Sequence, residues 1–214
     1  MKSRIKTEKY LIEDNLSQVT SIAKKMFLDG KLFVYPTDTI YGFGANPFNF
    51  EAVQRVNKIK NRIGDKNYIL LIGDIQTLLD YVEAMKDTHL RFISSIWPNP
   101  ISVVLKLNKT TKEKLGSETA AFRIPNNDFC LMLLNSLGMP LVSTSVNRSN
   151  ELPLNDPGII AENFSGEIDA LFYTNEKISG FASTLIDLTG EEPVLLREGK
   201  IKFNDIKNNF ELNK

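Results

Sequence analysis

Five short segments of this 214-residue chain set hydroxyls, amides and cations where apolar runs end. The first runs Leu32-Phe33-Val34-Tyr35-Pro36-Thr37-Asp38-Thr39-Ile40-Tyr41-Gly42-Phe43-Gly44, a strand-like stretch that passes through a proline into hydroxyls, a carboxylate and two glycines. A sheet delivers polar groups to a pocket mouth in this way, and Gly42 and Gly44 would allow a sharp turn or a ligand's close approach. An ordinary turn after a strand fits the same residues. The second segment is Lys60-Asn61-Arg62-Ile63-Gly64-Asp65-Lys66. Its lysines and arginine could clamp a polyphosphate, arginine bidentately and lysine as a point charge. The third is Thr119-Ala120-Ala121-Phe122-Arg123-Ile124-Pro125, where Arg123 interrupts an apolar strand. A charge there is costly unless it meets a ligand or an internal salt bridge, and both remain open. The fourth, Ser143-Thr144-Ser145-Val146-Asn147-Arg148-Ser149-Asn150, suits phosphate or ribose, or simply a turn. The fifth is Ser183-Thr184-Leu185-Ile186-Asp187, with Arg197-Glu198-Gly199 beyond it.

Positioning these segments calls for alternating helices and strands. Apolar residues at helical spacing predict helices over 16–27, 51–60, 75–85, 90–97 and 129–137, with Gly30 and Gly138 as stops. Strand patterns cover 32–35, 68–72, 101–107, 120–124, 141–143, 168–173, 184–188 and 194–197, with a polar loop from 144 through Pro157. Helices alternate with strands early and strands predominate late. The expected fold is one α/β (α+β) domain with a twisted mixed sheet flanked by helices.

The hydrophobic content of 42% and charged content of 24% are those of a soluble globular protein. No run is long enough to span a membrane, and no apolar stretch follows the basic N-terminus as a signal peptide requires. The single cysteine, Cys130, excludes a disulfide framework and fits a reducing cytoplasm; between Phe129 and Leu131 it reads as a buried structural thiol. Formal net charge is zero. Basic residues nevertheless cluster over 55–66 (Arg55, Lys58, Lys60, Arg62, Lys66), and acids over 151–176. The basic run is either a solvated helix face or a local anion site. There is no phosphate-binding loop, no dinucleotide fingerprint and no nucleophile elbow. The one histidine, His89, makes a triad or zinc site improbable. An enzyme built this way works by positioning and charge neutralisation.

Taken together, Tyr35-Pro36-Thr37-Asp38-Thr39-Ile40-Tyr41-Gly42, Lys60-x-Arg62-x-x-x-Lys66, Trp97-Pro98-x-Pro100, Phe122-Arg123-Ile124-Pro125, Ser143-x-Ser145-x-Asn147, Ser183-Thr184-Leu185-Ile186-Asp187 and Leu196-Arg197-x-Gly199 resemble the YrdC family in collinear order. The resemblance implies a YrdC-like domain over 10–205 with terminal extensions 1–9 and 206–214. It implies an ATP-dependent synthase that joins L-threonine, bicarbonate and ATP into threonylcarbamoyl-AMP and pyrophosphate, with Mg²⁺ accompanying the ATP and no protein-held metal. Transfer proteins would then pass the group to a tRNA, and the enzyme would be cytoplasmic and free of membrane. By the same resemblance Thr39, Arg123 and Ser183 contact L-threonine. Arg62, Lys66, Thr119, Ser143, Ser145, Asn147 and Arg197 contact ATP, and Lys60, Arg62 and Arg123 are the catalytic cations. Asp38 and Tyr41 are assigned to shaping the loop. The chain departs from the family pattern at Ile63 and Asn67, where proline is usual, at Leu71, where histidine is common, and at Asn99 and Ser102. The competing reading is a non-catalytic module binding tRNA or structured RNA, double-stranded RNA included, through the basic face of 55–66. A third, carbamoyl handling as in hydrogenase-maturation proteins, lacks the zinc-finger and acylphosphatase segments that accompany it.

Overall fold

The computed structural model describes residues 6–61 and 68–214. Among these residues ten strands, numbered along the chain, form one sheet. Their spatial order is β1 (Glu8–Leu11), β8 (Ala170–Tyr173), β2 (Phe33–Tyr35), β3 (Gly42–Gly44), β7 (Leu141–Ser145), β4 (Ile69–Leu71), β6 (Thr119–Arg123), β5 (Ile101–Lys106), β9 (Thr184–Asp187), β10 (Val194–Arg197). The pairs β1/β8, β8/β2, β4/β6 and β5/β9 are parallel and the others antiparallel, so the sheet is mixed as expected. Strand β7 joins the halves: residues 141–143 pair with β4, while Thr144 and Ser145 pair with β3.

Eight helices flank the sheet: α1 (Leu16–Leu28), α2 (Phe50–Ile59), α3 (Ile75–Leu79), α4 (Asp87–Ile96), α5 (Lys109–Leu115), α6 (Asp128–Leu137), α7 (Pro157–Phe164) and α8 (Phe203–Leu212), counted among the described residues. Six of them start the same way. The side chains of Asn15, Asn49, Asp74, Asn108, Asn127 and Asp156 each accept a hydrogen bond from the backbone N–H three residues on, satisfying an otherwise unpaired donor. The helix expected over 75–85 stops early because Val82 turns to form a β-bridge with Leu107. Strands β1 and β3 and helices α5, α7 and α8 are additions to the sequence reading; α7 interrupts the late run of strands and α8 follows it. The limits expected at 10 and 205 fall inside β1 and α8, and α8 sends Ile206 and Phe210 into the core.

Strand alternation divides the apolar residues between two faces. One face carries Val34, Phe43, Leu70, Phe122, Val103 and Ile186, covered by α2, α4, α7 and α8. On the other, Phe33, Tyr35, Leu71, Leu141 and Phe172 lie beneath α1 and α6. Those two helices cover only half of that face, and the uncovered half becomes the site.

Gly44 has a role other than the expected turn. Register sets Phe33 opposite Gly44 and Tyr35 opposite Gly42. A Cβ on Gly44 would lie 2.5 Å from the Phe33 ring and 2.8 Å from that of Tyr35, so the aromatic side chains of β2 occupy the space that β3 leaves vacant. Cys130 is fully buried with its thiol donating to the Pro36 carbonyl at 3.3 Å. Burial, and secondarily the Asp38 charge, pushes this thiol well above the ordinary range. Native protein at pH 8 should therefore leave Cys130 unmodified by a chromogenic disulfide reagent and react fully once unfolded; stoichiometric labelling without unfolding would contradict the burial.

Arg55 of the basic stretch pairs with Asp169 of the acidic one at 2.6 Å, and Arg148 pairs with Glu167 at 2.6 Å. Among the described residues no helix is long and apolar enough to cross a membrane.

Candidate active site

Register places Ser145 opposite Gly42, Ser143 opposite Ile69, Ile69 opposite Ala121, Ala121 opposite Val104, and Ser102 opposite Leu185. Side chains paired in this way share a face. Two-residue steps add Arg123 and Thr119 from β6, and Ser183 from just before β9. The half-face that α1 and α6 leave open thus carries hydroxyls and a guanidinium in place of core residues. It forms a cavity of about 270 Å³ whose wall includes Thr39, Arg123, Ser143, Ser145, Ser183 and Arg197, all six predicted from sequence.

Each wall group is fixed by identifiable contacts. Thr37 Oγ1 donates to the Ile40 carbonyl at 2.7 Å and accepts from the Thr39 backbone N–H at 3.1 Å. Because its proton is committed, the 2.8 Å contact between the two hydroxyls has Thr39 as donor. The remaining lone pairs of Thr39 Oγ1 are left as acceptors. The loop before β9 is pinned to the same residue: Gly180 N–H and Ser179 Oγ donate to the Thr39 carbonyl at 2.9 and 3.1 Å.

Ser183 Oγ lies 2.9 Å from the buried Ser102 hydroxyl, and Arg197 Nη2 donates to the Ser183 carbonyl at 3.0 Å. Beyond Arg197, Gly199 N–H donates to Thr184 Oγ1 at 3.0 Å and Lys200 N–H to the Ala182 carbonyl at 2.9 Å. A Cβ on Gly199 would stand 2.3 Å from that carbonyl oxygen, so only glycine lets the Arg197 segment lie this close to Ser183. Arg123 is 3% exposed and donates through Nη1 to Asp38 Oδ1 at 2.8 Å, the internal salt bridge left open above. Among the described residues its Nε and Nη2 have no hydrogen-bond partner. Desolvation, reinforced by the like charge of Arg123, holds the Arg197 guanidinium below the usual arginine range. Two guanidinium groups and a set of serine and threonine hydroxyls around one cavity make a receptor for anionic and hydroxylated ligands.

Not every predicted residue lies in this wall. Thr119 lines an adjacent cavity of about 260 Å³ that shares Tyr68 with the first. Lys60 is 2% exposed behind the wall. Its Nζ donates to the Ser145 carbonyl at 2.8 Å, to Ser145 Oγ at 3.2 Å and to Asn147 Oδ1. Asn147 also accepts from Ser145 Oγ at 2.7 Å and donates to the Glu151 carbonyl at 2.5 Å. Lys60 and Asn147 therefore hold the loop that carries Ser145. Leu71 is buried beneath α6, outside the cavity wall. Arg62 and Lys66, with Ile63 and Asn67, lie outside the described residues. Sequence reading missed Thr37, Asp38 and Ser102 as site residues. The lone hydroxyl of Ser102 in Ile101-Ser102-Val103-Val104-Leu105 was the available signal.

A mixed-sheet α/β domain with an arginine- and hydroxyl-lined cavity on its uncovered face is the class these features define. The Sua5_yciO_yrdC family model, described as telomere recombination, matches residues 25–199, and the chain belongs to that family. A threonylcarbamoyl-AMP synthase of Pyrococcus abyssi is 31% identical over 188 residues, covering 87% of this chain and 55% of the relative. The chain thus spans about half the length of the curated relative it matches. A crystal structure of Pyrococcus abyssi Sua5 complexed with L-threonine superposes with a TM-score of 0.83 at 29% identity, over 96% of this chain and 60% of that one. Escherichia coli YciO shares the fold with a TM-score of 0.78 at 24% identity, over 95% of this chain and 99% of that one.

Proposed function

We propose that this protein condenses L-threonine, bicarbonate and ATP into threonylcarbamoyl-AMP with release of pyrophosphate, supplying a group that cytoplasmic transfer proteins place on tRNA. The observation that carries this reading is the convergence of Thr39, Arg123, Ser143, Ser145, Ser183 and Arg197 on one cavity. Arg123 presents the Nε/Nη2 edge of its fork to the threonine carboxylate, because Asp38 takes Nη1. Thr39 and Ser183 offer hydroxyls to the amino acid's polar groups. Arg197, Ser143 and Ser145 face the nucleotide, joined by Thr119 from the adjacent cavity and, by family position, Arg62 and Lys66.

In the reaction the threonine amine bonds to the bicarbonate carbon and water leaves, giving a carbamate. A carbamate oxygen then attacks the α-phosphorus while pyrophosphate leaves. Charge accumulates on the phosphoryl oxygens, and fixed cations stabilise it without reorganising. Mg²⁺ accompanying ATP would neutralise phosphate charge. The guanidinium and hydroxyl donors of the cavity suit the phosphate side of such a complex.

The relative named as a threonylcarbamoyl-AMP synthase and the threonine-bound neighbour support the reading. The RNA module loses ground, because Arg55 of its basic run pairs with Asp169 and Lys60 is buried behind the cavity wall. Incubation with Mg²⁺–ATP should release pyrophosphate only when L-threonine and bicarbonate are both present. Absence of release, with tight salt-sensitive tRNA binding, would overturn the synthase in favour of the module.

A further inference from the structure

Ser102 brings a hydroxyl into a strand whose packing does not call for one. It is fully buried in β5 between Ile101 and Val103, and it lies behind the cavity wall instead of in it. Burying a hydroxyl is costly unless the group is paired. Among the described residues its one hydrogen-bond partner is the Ser183 hydroxyl at 2.9 Å, so the pairing falls on a residue of the site.

The direction of that bond follows from the groups around it. A hydroxyl has one proton and two lone pairs. The Ser102 proton has no acceptor among the described residues other than Ser183 Oγ, and a buried donor left without a partner is rare and costly. Ser183 Oγ also lies 3.4 Å from Arg197 Nη2, and in that contact the guanidinium can only donate. With Ser102 and Arg197 both donating, the lone pairs of Ser183 Oγ are engaged and its own proton is left for the cavity that Ser183 lines. The reverse direction would strand the Ser102 proton in the core. It would also turn a Ser183 lone pair toward the ligand oxygens that two guanidinium groups attract, setting oxygen against oxygen. Arg197 is held separately, through the Ser183 carbonyl at 3.0 Å, so its place does not depend on Ser102.

We infer that Ser102 is a positioning residue: its hydroxyl commits Ser183 as a hydrogen-bond donor toward an oxygen of the threonine substrate. The identity of that substrate rests on the reading under Proposed function. The cavity then presents hydroxyls of both polarities, Thr39 accepting and Ser183 donating.

The test is the initial rate of pyrophosphate release by the full chain, unmodified and as Ser102→Ala, Ser183→Ala and the double variant. Ser102→Ala removes a single oxygen atom, so its unfolding midpoint should stay near that of the unmodified protein. Its KM for L-threonine, at saturating ATP and bicarbonate, should rise about five- to tenfold, the worth of one neutral hydrogen bond. Its KM for ATP should stay within about twofold, because the Arg197 contact to the Ser183 carbonyl is untouched. Added to Ser183→Ala, the same substitution should change nothing further, since Ser102 acts only through that hydroxyl. A merely structural hydroxyl would, on removal, displace the Ser183 segment and Arg197 with it, raising both KM values together. That outcome overturns the inference, as do an unchanged threonine KM, multiplying losses in the double variant, or failure of Ser102→Ala to fold. Absence of pyrophosphate release from the unmodified protein would instead sink the synthase reading, and this inference with it.

Discussion

Arg123→Ala should lose threonine use by about 10²–10⁴-fold in kcat/KM while its apparent KM for ATP changes far less. A carboxylate held by two charge-assisted bonds gains about 1.5–3 kcal/mol from each, and every 1.4 kcal/mol is tenfold. The same substitution should lower stability by about 3–5 kcal/mol, because it leaves Asp38 buried with no partner. The two effects are separable. Denaturant unfolding gives the fraction folded, and initial rates per folded molecule give the specific loss. Arg123→Lys restores a positive charge near Asp38 but no fork, so it should recover more stability than threonine use. Unchanged activity per folded Arg123→Ala molecule would make the residue structural only.

The double nature of Arg123 marks how far its sequence could be read. A cation inside Thr119-Ala120-Ala121-Phe122-Arg123 announced that something compensates it, and composition left ion pair and ligand equally open. Its Nη1 answers to the first and its Nε and Nη2 edge to the second. Asp38 escaped notice because its partner is 85 residues away, a distance that no local pattern spans. Strand β1 was invisible for a similar reason: it exists by pairing with β8, whose residues follow it by about 160 positions. Strand β3 is only Gly-Phe-Gly, whose glycines favour turn over strand in any propensity scheme, yet the rings of β2 require the second of them. Helix α7 was hidden behind Asp156-Pro157-Gly158, which reads as a turn; the aspartate is an N-cap and the proline occupies the first helical position. Helix α8 went unread although Phe203, Ile206 and Phe210 stand at helical spacing. The other elements with strong local periodicity were legible. The convergence of six residues on one cavity is tertiary, and only the collinear resemblance to a family anticipated it.

Lys60→Met should be the other severe substitution, through the loop more than through lost contact with a ligand. Methionine fills much of the lysine's volume, so packing is largely kept and what disappears is the set of donors. The Ser145 carbonyl and Asn147 Oδ1 each lose a charge-assisted bond, and about 3–5 kcal/mol of stability should go with them. Because Ser145 lines the cavity, its loop should lose definition and the KM for ATP should rise. Asn147→Ala separates this route from direct catalysis. Asn147 joins Lys60, Ser145 and the Glu151 carbonyl, so its removal disturbs the loop while the lysine charge stays in place. If Lys60 acts by positioning, the two single variants should impair ATP use comparably, and the double variant should be little worse than either. If its ammonium instead touches the nucleotide, Asn147→Ala should retain most of the activity that Lys60→Met loses, and the losses should add. Since Nζ is already turned toward Ser145 and Asn147 behind the cavity wall, the non-additive outcome is the one the geometry predicts.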